Sequence, residues 1–109
     1  LPDGRPGPVE IPVNYAFDDW NFGMTARLDP RPIFGRETIL PLWREEFAAT
    51  HDWGGVTTLV LHPQVSGRPM RWRILRDFLA EIAARDDVWI ATGQQILEHY
   101  ESCEAQDAR

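Results

Sequence analysis

Hydrophobic residues recur along this chain with two different spacings, which predict where strands and helices lie. Between residues 9 and 13, apolar and polar residues alternate, as in a short strand. Pro12 places this strand at a sheet edge, because proline has no backbone N–H to donate. Continuous apolar runs at 56–61 and 88–91 predict two strands that are buried on both faces.

Three further segments show the spacing of amphipathic helices, and we expect helices near 38–51, 69–85 and 93–102. Pro41 fits only the first turn of the first helix, and Pro69 suits the start of the second. The second helix has the clearest apolar stripe, formed by Ile74, Leu75, Phe78, Leu79 and Ile82. Thr92 and Gln95 have the Thr-x-x-Gln spacing of a capping box, which predicts the start of the third helix.

Strands that alternate with helices predict an α/β fold with three parallel strands. Residues 14–35 form a long irregular connection, a type of segment that is often functional. Because three strands make a poor parallel sheet, we expect the sheet to be completed by further polypeptide or by another copy of the chain. The start at Leu1, where Met would be usual, favours residues 1–109 being part of a longer protein.

Composition narrows the class of protein. The net charge of −6 and the pI of about 4.9 argue against a nucleic-acid partner, which requires a basic surface. No apolar run is long enough to predict a membrane helix. The single cysteine, Cys103, excludes an internal disulfide. A cytoplasmic protein fits this composition, and so does an exported enzyme without disulfides.

Active sites of parallel α/β folds lie beyond the carboxyl ends of the strands, and His62 follows the predicted strand 56–61 directly. An imidazole there can act as a general acid or base. Asp18 and Asp19 follow the first strand and could orient the imidazole of His62, and Trp20 could line a pocket. His62 could instead be a capping or packing residue, and the two aspartates a turn. No histidine pair has metal-ligand spacing.

The motifs around His62 resemble a known family. Thr-Leu-Val-Leu-His-Pro at 58–63, Ser-Gly-Arg-Pro at 66–69 and Arg71 are similar to the last motif of the polysaccharide deacetylase superfamily. The likeness is greatest to the branch of allantoinase-like and peptidoglycan-deacetylase-like enzymes. The Asp-Asp-Trp at 18–20 resembles the preceding motif, and the Val-Trp-Ile-Ala at 88–91 follows the same pattern. The resemblance covers most of the chain.

The resemblance implies the C-terminal part of a distorted (β/α) barrel, from a metal-dependent hydrolase of non-peptide carbon–nitrogen bonds such as carbohydrate N-acetyl groups. It implies that His62 protonates the leaving amine and that Asp18 or Asp19 tunes it. The divalent metal, such as zinc, and the catalytic base would lie outside this segment. Arg68, together with Arg71, would hold carboxylates or touch an anionic substrate.

The family pattern usually has an acid at the position of Ala16, so the acid that tunes His62 stays open between several carboxylates. The expected partners are a carbohydrate or small-molecule substrate, the upstream part of the barrel and further copies in a homo-oligomer. Two alternatives remain at this point. One is an inactive half-barrel that binds another chain, and the other is a cofactor-free allantoinase-like amidohydrolase.

Overall fold

The computed structural model describes residues 7–107, and these residues are predominantly helical. The elements are a short 3-10 helix, Tyr15–Phe17, and five α-helices. The helices are α1 (Trp20–Gly23), α2 (Arg36–Asp52), α3 (Pro63–Ser66), α4 (Pro69–Ala83) and α5 (Gly93–Asp107). None of the helices within residues 7–107 combines the length and the apolar content needed to cross a lipid bilayer.

The expected α/β fold with three parallel strands, as part of a (β/α) barrel, is wrong for the described chain. None of the segments 9–13, 56–61 and 88–91 forms a strand there. Backbone pairing reduces to isolated bridges, of which the parallel one joins Asp18 to Val60. A strand forms only where another segment pairs with it along its length, and within residues 7–107 no segment pairs with the apolar runs in this way.

The three long helices were predicted, although their ends differ from the expected ones. Helix α2 begins at Arg36, two residues before the expected start, and therefore contains Pro41 in its interior. Pro69 occupies the first turn of α4, as expected. Residues 14–35 were predicted to be irregular and contain the 3-10 helix and α1.

The chain divides into two compact units, Pro12–Arg85 and the residues on either side of it. In the flanking unit, the capping box at the start of α5 is confirmed. The backbone N–H of Thr92 donates to Oε1 of Gln95 at 2.8 Å, and the N–H of Gln95 donates to the Thr92 hydroxyl at 3.3 Å. Trp89 of this unit is 58% exposed, and Trp72 of the unit Pro12–Arg85 is 53% exposed, so neither indole lies in a core although both rings are large and apolar.

The hydrophobic core of the unit Pro12–Arg85 lies where α2 packs against α4. Phe78 of α4 is 1% exposed, and its ring centroid lies 5.3 Å from that of Trp43 and 6.2 Å from those of Phe17 and Phe47. Trp43 also donates from Nε1 to the carbonyl oxygen of Ala16 at 2.9 Å. This contact fixes the segment that precedes α1 against α2. The core therefore holds in place the segment in which Asp18 and Asp19 follow.

Replacing Phe78 with alanine should leave a cavity among three aromatic rings and lower the free energy of unfolding by about 3–5 kcal/mol. The adjacent Leu79 is 38% exposed, so Leu79→Ala on the same helix serves as the control and should cost far less. Chemical denaturation of both variants measures the difference. Equal losses would contradict the placement of Phe78 at the centre of the core.

Candidate active site

The segment from Phe17 to Asp19 and the segment from Val60 to His62 run side by side in parallel for a short distance. The N–H of Val60 donates to the carbonyl oxygen of Phe17, and the N–H of Asp19 donates to that of Val60, each at 3.1 Å. The next bond of a parallel ladder would join the N–H of His62 to the carbonyl of Asp19. That N–H instead donates to the two side-chain oxygens of Asp19, at 3.1 and 3.0 Å.

Asp19 is 1% exposed and forms the centre of the site. Its Oδ1 lies 2.7 Å from Nδ1 of His62, and its Oδ2 accepts from the hydroxyl of Ser66 at 2.5 Å. All of these partners donate to the carboxylate, which is how a buried acidic group is satisfied. Because Asp19 accepts, Nδ1 of His62 carries the hydrogen in this bond.

His62 presents its other ring nitrogen away from Asp19. The side chain is 31% exposed, and within residues 7–107 we find no hydrogen-bond partner for Nε2. The indole of Trp20 lies beside the imidazole, with ring centroids 5.0 Å apart and planes tilted by 58°. The arrangement leaves one ring nitrogen to hold the histidine and the other available to exchange a proton with a ligand.

Asp18 is the more distant of the two aspartates. Its Oδ1 lies 3.8 Å from Nδ1 of His62, beyond hydrogen-bond distance, and accepts from the backbone N–H of Trp20 at 2.9 Å. This bond satisfies a donor in the first turn of α1. The geometry therefore distinguishes the two candidates that the sequence left open, because only Asp19 bonds directly to the imidazole.

His62 ends the extended segment and is the N-cap residue that precedes α3, with an extended backbone at φ −111° and ψ 125°. Pro63 follows at the first position of the helix, where its missing N–H costs nothing. One turn later, a Cβ at Gly67 would overlap the carbonyl oxygen of Pro63, so glycine is required by close approach. Because of this turn, Ser66 lies beside the Asp19 carboxylate, which also holds His62.

Arg71 of α4 fixes the end of α1 from the opposite side. It is 5% exposed and donates from Nη2 to the carbonyl oxygen of Phe22, rather than to a carboxylate as expected. Burial lowers the pKa of its guanidinium, and the negative charge of Asp19 opposes this shift. A Cβ on Gly23 would overlap Val65 and lie 2.8 Å from Nη2 of Arg71, so the approach depends on glycine.

The predicted site residues are thus only partly brought together. His62, Asp19, Asp18 and Trp20 form one cluster, whereas Arg68 is exposed and its Nη2 lies 4.0 Å from the sulfur of Met24. Sequence reasoning gave no role to Ser66. Its signals were its place in the Ser-Gly-Arg-Pro motif and its spacing of four residues from His62, which places two side chains on one face across a helical turn.

Asp18, Asp19 and His62 each offer a ligand atom, and these atoms lie within 4.8 Å of one another. The hydrogen bonds do not fit a metal ion at this position. A cation there would have to displace the hydrogen between Nδ1 and Oδ1, which are 2.7 Å apart. No buried side-chain oxygen or nitrogen among the described residues lacks a partner. The cluster is a hydrogen-bonded Asp–His pair.

Comparison with solved structures finds a similar protein from Mycobacterium smegmatis that carries the provisional name polysaccharide deacetylase. The likeness extends over 86% of this chain, with 40% sequence identity and a TM-score of 0.80. The aligned region is 34% of the Mycobacterium smegmatis chain, so this sequence spans about a third of that protein. Neither a protein-family model nor a curated protein matches the chain. The structural likeness supports the resemblance to the polysaccharide deacetylase superfamily.

Replacing Asp19 with asparagine should lower the free energy of unfolding by about 1–3 kcal/mol, since an amide nitrogen would then face a buried donor. Asp18→Asn is the matched control, because an amide oxygen can still accept from the N–H of Trp20. Urea denaturation of the two variants measures the contrast. If both variants lose the same stability, Asp19 is not the centre of the hydrogen-bond network.

Proposed function

We propose that this chain contributes the proton-donating part of a hydrolase active site, with His62 as the general acid. The observation that carries the proposal is the different environment of the two ring nitrogens of His62. Nδ1 is held by the buried Asp19 at 2.7 Å, while Nε2 has no partner within residues 7–107. A histidine held in this way can give a proton from Nε2 in one orientation and recover it afterwards.

The proposed reaction is hydrolysis of a non-peptide carbon–nitrogen bond. Water adds to the carbonyl carbon of an amide, and one of its protons goes to a base outside the described residues. The tetrahedral intermediate then collapses, the C–N bond breaks and its electron pair remains on nitrogen. That nitrogen takes the proton from Nε2 of His62, which yields the free amine and the carboxylic acid. The step leaves a neutral imidazole whose Nδ1–H still donates to Asp19.

The substrate class we propose is N-acetylated carbohydrate. Two observations support it: the name of the similar Mycobacterium smegmatis protein and the position of Trp20 beside the imidazole. An indole face can pack against the apolar face of a sugar ring while the acyl group reaches Nε2. Trp20 is partly exposed, as contact with a ligand requires.

We further propose that the segment corresponds to the C-terminal part of such an enzyme, in its allantoinase-like and peptidoglycan-deacetylase-like branch. The support is the motif order, since the His-Pro and Gly-Arg-Pro sequence resembles the last motif of the superfamily. The catalytic base and the ligands of the divalent metal would come from other residues of the protein. Such a metal would supply Lewis-acid activation of the carbonyl and water. The Asp–His cluster has no place for it.

The decisive variant is His62→Asn in the full-length protein. The asparagine amide can occupy the position of Nδ1 and donate to Asp19, but it has no counterpart of Nε2. We expect turnover to fall by about 10²–10⁴-fold, the usual contribution of one positioned acid. Acetate release from N-acetylglucosamine oligomers measures it, and thermal melting followed in parallel should change little.

The exposed His99 of α5 provides the control, because His99→Asn makes the same substitution at a histidine that belongs to the other compact unit of the chain. Unchanged turnover in His62→Asn would show that His62 is structural, and a collapse of the melting temperature would show the same. If the protein hydrolyses allantoin and releases no acetate from the oligomers, the proposed substrate class is wrong, but the role of His62 as general acid is not contradicted.

A further inference from the structure

Ser66 lies behind the Asp–His pair. It is 5% exposed and ends the single turn of α3. Its backbone N–H donates to the carbonyl oxygen of His62 at 2.9 Å, and its hydroxyl donates to Oδ2 of Asp19 at 2.5 Å. One residue is therefore bonded both to the backbone of the histidine and to the carboxylate that holds its ring.

We infer that Ser66 is a positioning residue that fixes the rotation of the Asp19 carboxylate and so sets the tautomer of His62. The backbone N–H of His62 cannot do this, because it lies at nearly equal distances from the two oxygens, 3.1 and 3.0 Å. The Ser66 hydroxyl bonds to Oδ2, which leaves Oδ1 directed at Nδ1. The serine removes the near-equivalence of the two oxygens.

Asp18 makes this selection necessary. Its Oδ1 lies only 3.8 Å from Nδ1 of His62, so a small rotation of the imidazole would bring that nitrogen within bonding distance of a second carboxylate. Asp18 accepts the N–H of Trp20, whereas Asp19 accepts the Ser66 hydroxyl. By holding Asp19 in place, Ser66 keeps the ring on one acceptor and Nε2 pointing in one direction.

The tautomer can be measured without any assay of activity. In the intact protein labelled with ¹⁵N-histidine, the His62 signals are identified by their loss in His62→Asn. At a pH where the ring is neutral, we expect Nδ1 to carry the hydrogen in the wild type. Ser66→Ala should shift the ratio of the two tautomers towards Nε2–H by about tenfold, on the scale of a hydrogen bond to a charged acceptor.

Two further variants separate the hydroxyl from the space that it fills. Ser66→Cys keeps a similar volume with a much weaker donor and should shift the ratio as Ser66→Ala does. Ser66→Thr keeps the hydroxyl and should retain the wild-type ratio. The inference is overturned if Ser66→Ala and Ser66→Cys both keep the wild-type tautomer, or if Ser66→Thr shifts it as much as alanine.

The catalytic consequence rests on the proposed function, whereas the tautomer does not. If the full-length protein hydrolyses amides, Ser66→Ala should lower kcat by about tenfold with little change in KM, since the acid is present but poorly oriented. A shifted tautomer in a protein without hydrolase activity would support the role of Ser66 and refute the hydrolase. An active enzyme with an unshifted tautomer would do the reverse.

Discussion

The carboxylate of Asp19 is the group on which the arrangement of this site depends. It takes the place of a backbone carbonyl at the end of a short parallel pairing and accepts the N–H of His62. A backbone oxygen could satisfy that N–H but could not also reach the imidazole and a serine hydroxyl. One side chain thereby joins the chain before α1 to the start of α3, and aligns the histidine ring in the same contact.

A buried carboxylate is costly unless its oxygens are bonded, and here the donors come from a single short segment. The segment runs from His62 to Ser66 and supplies a backbone N–H, a ring N–H and a hydroxyl. Arg71 adds a positive charge nearby, but it donates its own hydrogen bond to a carbonyl oxygen of α1. The carboxylate is therefore stabilised by neutral donors together with a nearby positive charge.

The sequence predicted the elements whose stability is local and failed on those that need distant partners. The apolar stripe of α4 and the Thr92–Gln95 capping box each depend on one segment of the chain. The capping box appears as expected. Four of the five stripe residues are buried, and the fifth, Leu79, is partly exposed. The run 56–61 has strand composition, but a strand exists only when another lies beside it, and composition does not provide that neighbour. Within residues 7–107 the pairing there is limited to one parallel bridge, at Val60.

The site was partly predictable for the same reason. A histidine directly after an apolar run, and two aspartates a few residues after an alternating segment, were visible in the sequence, and the structure brings them together. Sequence could not decide between Asp18 and Asp19, since that choice depends on a difference of about one ångström in contact distance, 3.8 against 2.7 Å. Nor could it indicate Ser66, because a serine in a short turn is ordinary until the carboxylate beside it is known.

These contacts also explain why the histidine lies where the apolar run ends. Farther back in the run, at Val60, both backbone groups are used in pairing with 17–19, and no carboxylate could enter. Directly after position 62 the chain enters the turn of α3, where the backbone is helical and a side chain comes back to Asp19 only at Ser66, at the end of the turn. At position 62 the backbone is still extended but its pairing is finished, so its N–H and its ring can share one acceptor. The end of the pairing is thus the position in this segment at which a single buried acid can hold both.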